Sequence, residues 1–254
     1  MWGESAALEL RDASAQPVDF HTGRSPIRLL RALTRVDVGA AFDSAPDSET
    51  VNGLADFALT NVAVYRSALR ARVVPELSDL EEGIAVRLTL PDGTDLLRPA
   101  EEPLIYEMET AADVCLREIY LPEAPAATSA DDGVCLVIGG YYGIGNTTEQ
   151  TFYRVDFLTP KSAAGSQQYL PILRNHRYRI NILKVSGPGF GTREEALQTR
   201  PTNLETSVNV WDETAVGDVA YDGQYMLGVS HRTLTYYREA SSQALTVRTD
   251  HPDG

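Results

Sequence analysis

Arg174, Asn175, His176, Arg177, Tyr178 and Arg179 stand almost side by side in YLPILRNHRYRINILKVSGPGFGT, residues 169–192. An imidazole beside guanidinium groups and a phenol could build a general acid–base site, or a clamp for a phosphate or a sugar. Either use requires the groups to converge on one point. Laid out as a strand, His176, Tyr178, Ile180 and Ile182 face one way, and Arg177, Arg179 and Asn181 face the other. The cluster is split between two faces. Tyr178 and the isoleucines read as core. Arg177 and Arg179 read as a solvated or sheet-edge face, pairing with carboxylates. Arg174-Asn175 suits a bend, because Asn accepts turn geometry.

Other candidates are weaker. GGYYGIGN, residues 139–146, lacks the Lys-Ser/Thr of a phosphate loop, and no helix pattern follows it; it reads as a strand entering a hairpin loop. Asp131-Asp132 and the Asp79, Glu81, Glu82 group have no oxygen-ligand loop pattern and read as solvated carboxylates. The four histidines are dispersed, and no His-Glu-x-x-His or Gly-x-Ser-x-Gly occurs. No catalytic, cofactor-binding or metal-binding set emerges, and no cofactor is expected. Cys115 and Cys135 lack metal-type spacing. They are either two buried thiols or a disulfide across neighbouring strands, which would imply an oxidising compartment.

The 254 residues carry a formal net charge of −14 and are 43% apolar. That supports a packed core in one large or two small domains. The acidity argues against nucleic acid and against an anionic membrane surface as partners. No run approaches the roughly 18 apolar residues of a membrane helix. MWGESAALELRDAS lacks the basic and apolar regions of a signal peptide, which leaves a cytoplasmic protein or part of a longer chain.

The elements that would position these residues are mostly strands. IRLLRALTRVDVGAA (27–41) alternates. ADFALTNVAVYR (55–66) places Ala58, Thr60, Val62 and Val64 on one side and Phe57, Leu59 and Asn61 on the other. GIAVRLTL-PDGT-DLLRP (83–99) reads as a hairpin. VCLREIYL, VCLVIGGYY, TFYRVDFL, HRYRINILKV and LETSVNVW read as further strands, with a solvated loop LPEAPAATSADDG after the first. TREEALQT reads as a short helix across the end of a sandwich, with Thr192 and Glu195 at capping-box spacing. Beyond Trp211, DETAVGDVAYDGQ reads as a linker, and YMLGVSH, TLTYYRE and QALTVRTDHPDG as three strands of a domain that continues. Many short strands with turn signals indicate an all-β chain.

Three stretches together resemble the fimbrillin family of Bacteroidetes-type bacteria, including its minor-fimbrium branch. They are IRLLRALTRVDVGA (27–40), YYGIGNTTEQTFYRVDF with YLPILRNHRYRINILKVSGPGFGTREEA (141–196), and NLETSVNVWDE (203–213). Arg174, Asn175, His176, Tyr178 and Trp211 carry the most specific part. The resemblance covers residues 1–213 and implies two tandem transthyretin-like (Greek-key) β-sandwiches, 1–104 and 105–213. It implies export as a lipoprotein, a place on the cell surface or outer membrane in a fimbrium, and assembly with other fimbrial subunits by β-strand donation. No active site is implied. The lipoprotein signal, trimmed strand and cleavage arginine of the family have no match before residue 1, so no cleavage residue is assigned. Residues 214–254 comprise a linker and a segment that resembles the start of a BACON-type Ig-like domain. That points to a tip, anchor or ancillary subunit. Asp43-Ser44-Ala45 resembles the O-glycosylation pattern of these bacteria, with Ser44 as acceptor. The alternative is a surface glycan-binding module of an outer-membrane lipoprotein, using Tyr141, Tyr142, Phe152, Tyr153 and Trp211; surface receptors or glycans are the partners these readings admit.

Overall fold

The computed structural model of the chain describes residues 30–43, 49–76, 78, 80–81, 84–85, 87–89, 97–143, 150–159, 165–199, 202–212, 218–221, 226–229 and 247–249. The chain forms two compact units, Met1–Trp211 and Asp212–Gly254.

The strands of the first unit are β1 Thr34–Ala40, β2 Phe57–Tyr65, β3 Leu80–Glu81, β4 Ile84–Ala85, β5 Leu104–Ala112, β6 Val114–Leu121, β7 Cys135–Tyr142, β8 Gln150–Asp156, β9 His176–Val185 and β10 Leu204–Asp212; its helix is α1, Arg193–Gln198. One sheet has the order β10-β9-β1-β6 and a second the order β5-β2-β7-β8. Their facing sides share one core. Val36, Val38, Ile119, Leu121, Tyr178, Ile180 and Ile182 come from the first sheet, and Phe57, Leu59, Val62, Val64, Leu136, Ile138, Tyr153 and Val155 from the second. The chain is all-β apart from one short helix among the described residues.

The division at 104/105 is corrected. β1 lies between β9 and β6, and β2 lies between β5 and β7. Both sheets therefore interleave strands from either side of that boundary, in one sandwich. Alternation marks a strand's inward face but does not name its neighbour. β1 and β9 run parallel, with Arg35 opposite Arg177 and Val36 opposite Tyr178. A parallel pair needs a long crossover; here it spans the whole of the second sheet.

Local corrections follow from backbone irregularities. In β2 a bulge between Leu59 and Asn61 shifts the register against both neighbours. Phe57 and Leu59 point inward before it, and Val62 and Val64 after it, so the strict alternation expected over 55–66 reverses midway. Ile84–Ala85 pair with Leu80–Glu81 and Leu97 bridges Ala68; the Pro-Asp-Gly turn expected between the two arms lies outside the described residues. β5 joins the expected strands, continuing through Asp113 into β6 and so passing from one sheet to the other.

Helix α1 starts at Thr192, whose Oγ1 accepts the Glu195 N–H at 3.2 Å. It lies on the outer face of the second sheet, not across the sandwich end. Ala196 and Leu197 pack with Ala63, Tyr65, Cys135, Val137 and Phe152 in a second apolar cluster. Buried Arg154 donates to the Leu197 carbonyl, placing a cation at the carbonyl end of the helix.

The second unit contains β11 Asp218–Tyr221, β12 Met226–Val229 and β13 Val247–Thr249, an antiparallel sheet in that order. β11 falls within the expected linker. TLTYYRE lies outside the described residues.

Candidate functional site

The residues before β9 are fastened by their own side chains. Asn175 has φ of +59°, a left-handed conformation that Asn tolerates better than most residues. Its N–H donates to the Leu33 carbonyl at 3.1 Å, and its Oδ1 accepts the Arg31 N–H at 3.1 Å. Arg174 is 1% exposed and forks onto Glu123, at 2.9 Å from Nε and 2.6 Å from Nη2. The same guanidinium donates to the carbonyls of Arg72 and Val73 at 2.9 and 3.3 Å. His176 Nδ1 lies 2.7 Å from the Arg174 carbonyl; a carbonyl only accepts, so that nitrogen carries the hydrogen. Tyr178 donates its O–H to the Pro171 carbonyl at 2.6 Å and accepts the Leu173 N–H at 3.2 Å. Burial pushes the Tyr178 phenol up to about 12, against the opposing bond from Leu173. These side chains serve the backbone that precedes their own strand, so a reacting atom is not their common focus.

The two faces of β9 separate as the alternation requires, but the outer one is not solvated. Arg177 and Arg179 are 7% and 4% exposed, and β9 is an inner strand. The segment after β1 folds back over them: the Phe42 N–H donates to Asn181 Oδ1 at 3.0 Å, and the Arg179 guanidinium lies 4.9 Å from the Phe42 ring centre. Gly39 makes room for that ring, since a Cβ there would lie 2.5 Å from Phe42 Cζ.

Beneath this cover the outer side chains do converge. Fully buried Asp37 accepts Arg177 Nε at 2.6 Å, Arg35 Nε at 2.9 Å and the Arg117 backbone N–H at 3.0 Å. Glu49 accepts Arg35 Nη2 at 2.6 Å and Arg117 Nη2 and Nε at 2.7 and 3.2 Å, and Arg177 Nη2 stands 3.8 Å away. Burial pushes the Glu49 carboxyl up, but hydrogen bonds from Arg35 and Arg117 outweigh it and hold it below its ordinary value. Three strands each contribute one arginine to this cluster, which reading β9 alone could not reveal. Its groups are guanidinium and carboxylate, arranged so that each charge is held by its opposite.

Cys115 and Cys135 are free and buried. The disulfide alternative is corrected: Cys115 points into the main core from the first sheet, whereas Cys135 lies in the cluster beneath α1 on the outer face of the second. Burial pushes both thiols up to about 11.

Gly139 and Gly140 of GGYYGIGN have a packing role. A Cβ on Gly139 would lie 2.5 Å from the Asn61 side chain, and one on Gly140 would lie 2.4 Å from the Phe57 ring. Asp132 accepts the N–H groups of Thr128 and Ser129 and closes its own turn. Phe152 and Tyr153 face opposite clusters and are both buried, while Tyr141 is 38% exposed. Trp211 lies on β10; its side chain, like Ser44, lies outside the described residues. No cluster of three or more metal-ligating side chains occurs among the described residues, and no helix among them is long and apolar enough to cross a membrane.

No family model and no curated protein matches the chain. Solved structures do. A tip fimbrial protein, Mfa3, of Porphyromonas gingivalis is 14% identical with a TM-score of 0.39, over 74% of this chain and 53% of that one. A candidate cell adhesion protein of Bacteroides eggerthii is 11% identical with a TM-score of 0.38, over 74% and 57%. Another, of Parabacteroides distasonis, is 15% identical with a TM-score of 0.37, over 83% and 65%. The chain spans a little over half the length of the first two.

Proposed function

We propose that this chain is a non-enzymatic adhesion subunit of a fimbrium at the cell surface or outer membrane, a tip, anchor or ancillary component, which joins other fimbrial subunits by β-strand donation. One observation carries the reading. The Arg174-Asn175-His176-Arg177-Tyr178 element, the most specific part of the fimbrillin resemblance, is committed to internal bonds that fix a sandwich scaffold. Function is thereby left to surfaces and sheet edges.

An edge suited to strand addition is present. β5 has β2 on one side and no strand on the other among the described residues. Leu104, Tyr106 and Met108 are half-buried along it, and Ile105, Glu107 and Glu109 are exposed. Unpaired backbone groups with alternating side chains are what an incoming strand uses, the first for affinity and the second for register.

The test titrates synthetic C-terminal strands of candidate fimbrial subunits into the purified chain and follows the melting temperature. A stabilisation that depends on peptide sequence is expected. If no peptide raises the melting temperature, assembly by strand donation is wrong.

A further inference from the structure

The cluster on the outer face of the first sheet has the composition of an anion site. Arg35 and Arg177 lie opposite each other on β1 and β9. Arg117 reaches the same place from β6, where the register against β1 shifts between Val36 and Val38. Arg117 has φ of +60°, a backbone conformation costly for a residue with a long side chain, and such local strain gathers at binding sites. Asp37 lies underneath and balances part of the charge. The second carboxylate is Glu49, which belongs to the returning segment and not to any strand. It is 30% exposed, against complete burial of Asp37.

We propose that Arg35, Arg117 and Arg177 form a carboxylate-binding site that the chain fills with its own Glu49, so that an acidic side chain on an extended segment of a partner protein binds by displacing it. Glu49 itself argues for that partner class: it is a carboxylate carried on a peptide segment that pairs with the chain beside it through Phe42 and Val51, and the site receives it through a two-bond fork from Arg117. The displaced piece is locally anchored. Asn52 and Gly53 donate their N–H groups to the carbonyls of Ala41 and Ala40 at 2.8 and 3.1 Å. This inference is independent of strand donation at a sheet edge.

The probe is an acetylated and amidated Glu-Glu-Glu peptide, with Gln-Gln-Gln as control, titrated into the full chain by calorimetry. The wild type should bind weakly. Glu49→Gln should bind Glu-Glu-Glu about tenfold or more tightly, because it removes a tethered competitor whose effective concentration is of millimolar order. Adding Arg117→Ala, at a side chain that is 65% exposed, should abolish the gain. Equal binding by wild type and Glu49→Gln, or a gain that survives Arg117→Ala, would overturn the proposal. A glucuronate oligosaccharide binding Glu49→Gln more tightly than the peptide would overturn the partner class. If Glu49→Gln does not fold, hydrogen exchange on the wild type decides. The Asn52 and Gly53 amides should exchange faster under saturating Glu-Glu-Glu and not under Gln-Gln-Gln; no difference between the two peptides rules the site out.

Discussion

Tyr178 joins two roles in one side chain. Its ring fills the core between the sheets, edge-on to Phe157 at 5.6 Å between centres, while its hydroxyl ties two backbone groups of the segment before β9. Tyr178→Ala loses both, and should cost about 3 kcal/mol or more, as truncation of a buried aromatic does. Tyr178→Phe keeps the ring but leaves the Leu173 N–H and the Pro171 carbonyl without that partner, a loss of about 1–3 kcal/mol. Urea melts of the two variants check this, and equal stability of Tyr178→Phe and wild type would show that the hydroxyl bonds contribute nothing. The thiols give a second test. With both pushed up to about 11, the folded chain should resist iodoacetamide at pH 8, and both should react once it is denatured without reductant. The sign for stability follows. Above the ordinary thiol value near 9, the unfolded chain sheds protons that the folded chain keeps, so stability should fall as pH rises from about 9 to 11.

Among the elements, α1 shows how a very short helix persists. Six residues are too few to be stable alone, so its cap and its packing must hold it. Thr192 satisfies the Glu195 N–H, Leu197 and Ala196 seal the outer face of the second sheet, and Arg154 meets the far end. Thr192→Ala should cost about 1 kcal/mol in a denaturant melt. The strands show a different dependence. The bulge in β2 lets Phe57, Leu59, Val62 and Val64 all reach one core. In an unbulged strand of the same sequence, Val62 and Val64 would face away from Phe57 and Leu59.

For the molecule as a whole, interleaving of strands determines which pieces can fold. Residues 1–104 contain β1 and β2 but lack every strand that flanks them in the two sheets. Fragments 1–104 and 105–213 should therefore each lack dispersed amide signals and a cooperative melt, whereas residues 1–211 should fold as one unit. A cooperative melt from either fragment alone would contradict the topology. The charge pattern follows the same long-range logic. Arg35, Asp37, Glu49, Arg117 and Arg177 meet only because β1, β6 and β9 are neighbours.

Much was legible locally. The span of β9, the inward run of Tyr178, Ile180 and Ile182, the outward run of Arg177, Arg179 and Asn181, the turn at Asn175 and the cap at Thr192 all follow from period, turn preference and side-chain reach within a few residues. β5 carries the same kind of local signal, with Leu104, Tyr106 and Met108 half-buried and Ile105, Glu107 and Glu109 exposed. Which strands become neighbours, where β2 changes face, how Phe42 and Glu49 meet the arginines, and that Cys115 and Cys135 occupy different apolar clusters depended on the folded chain. Those outcomes rest on backbone pairing and packing between residues as far apart as Arg35 and Arg177. A strand's own alternation fixes which side chains share a face, but the partner that covers each face comes from elsewhere in the chain.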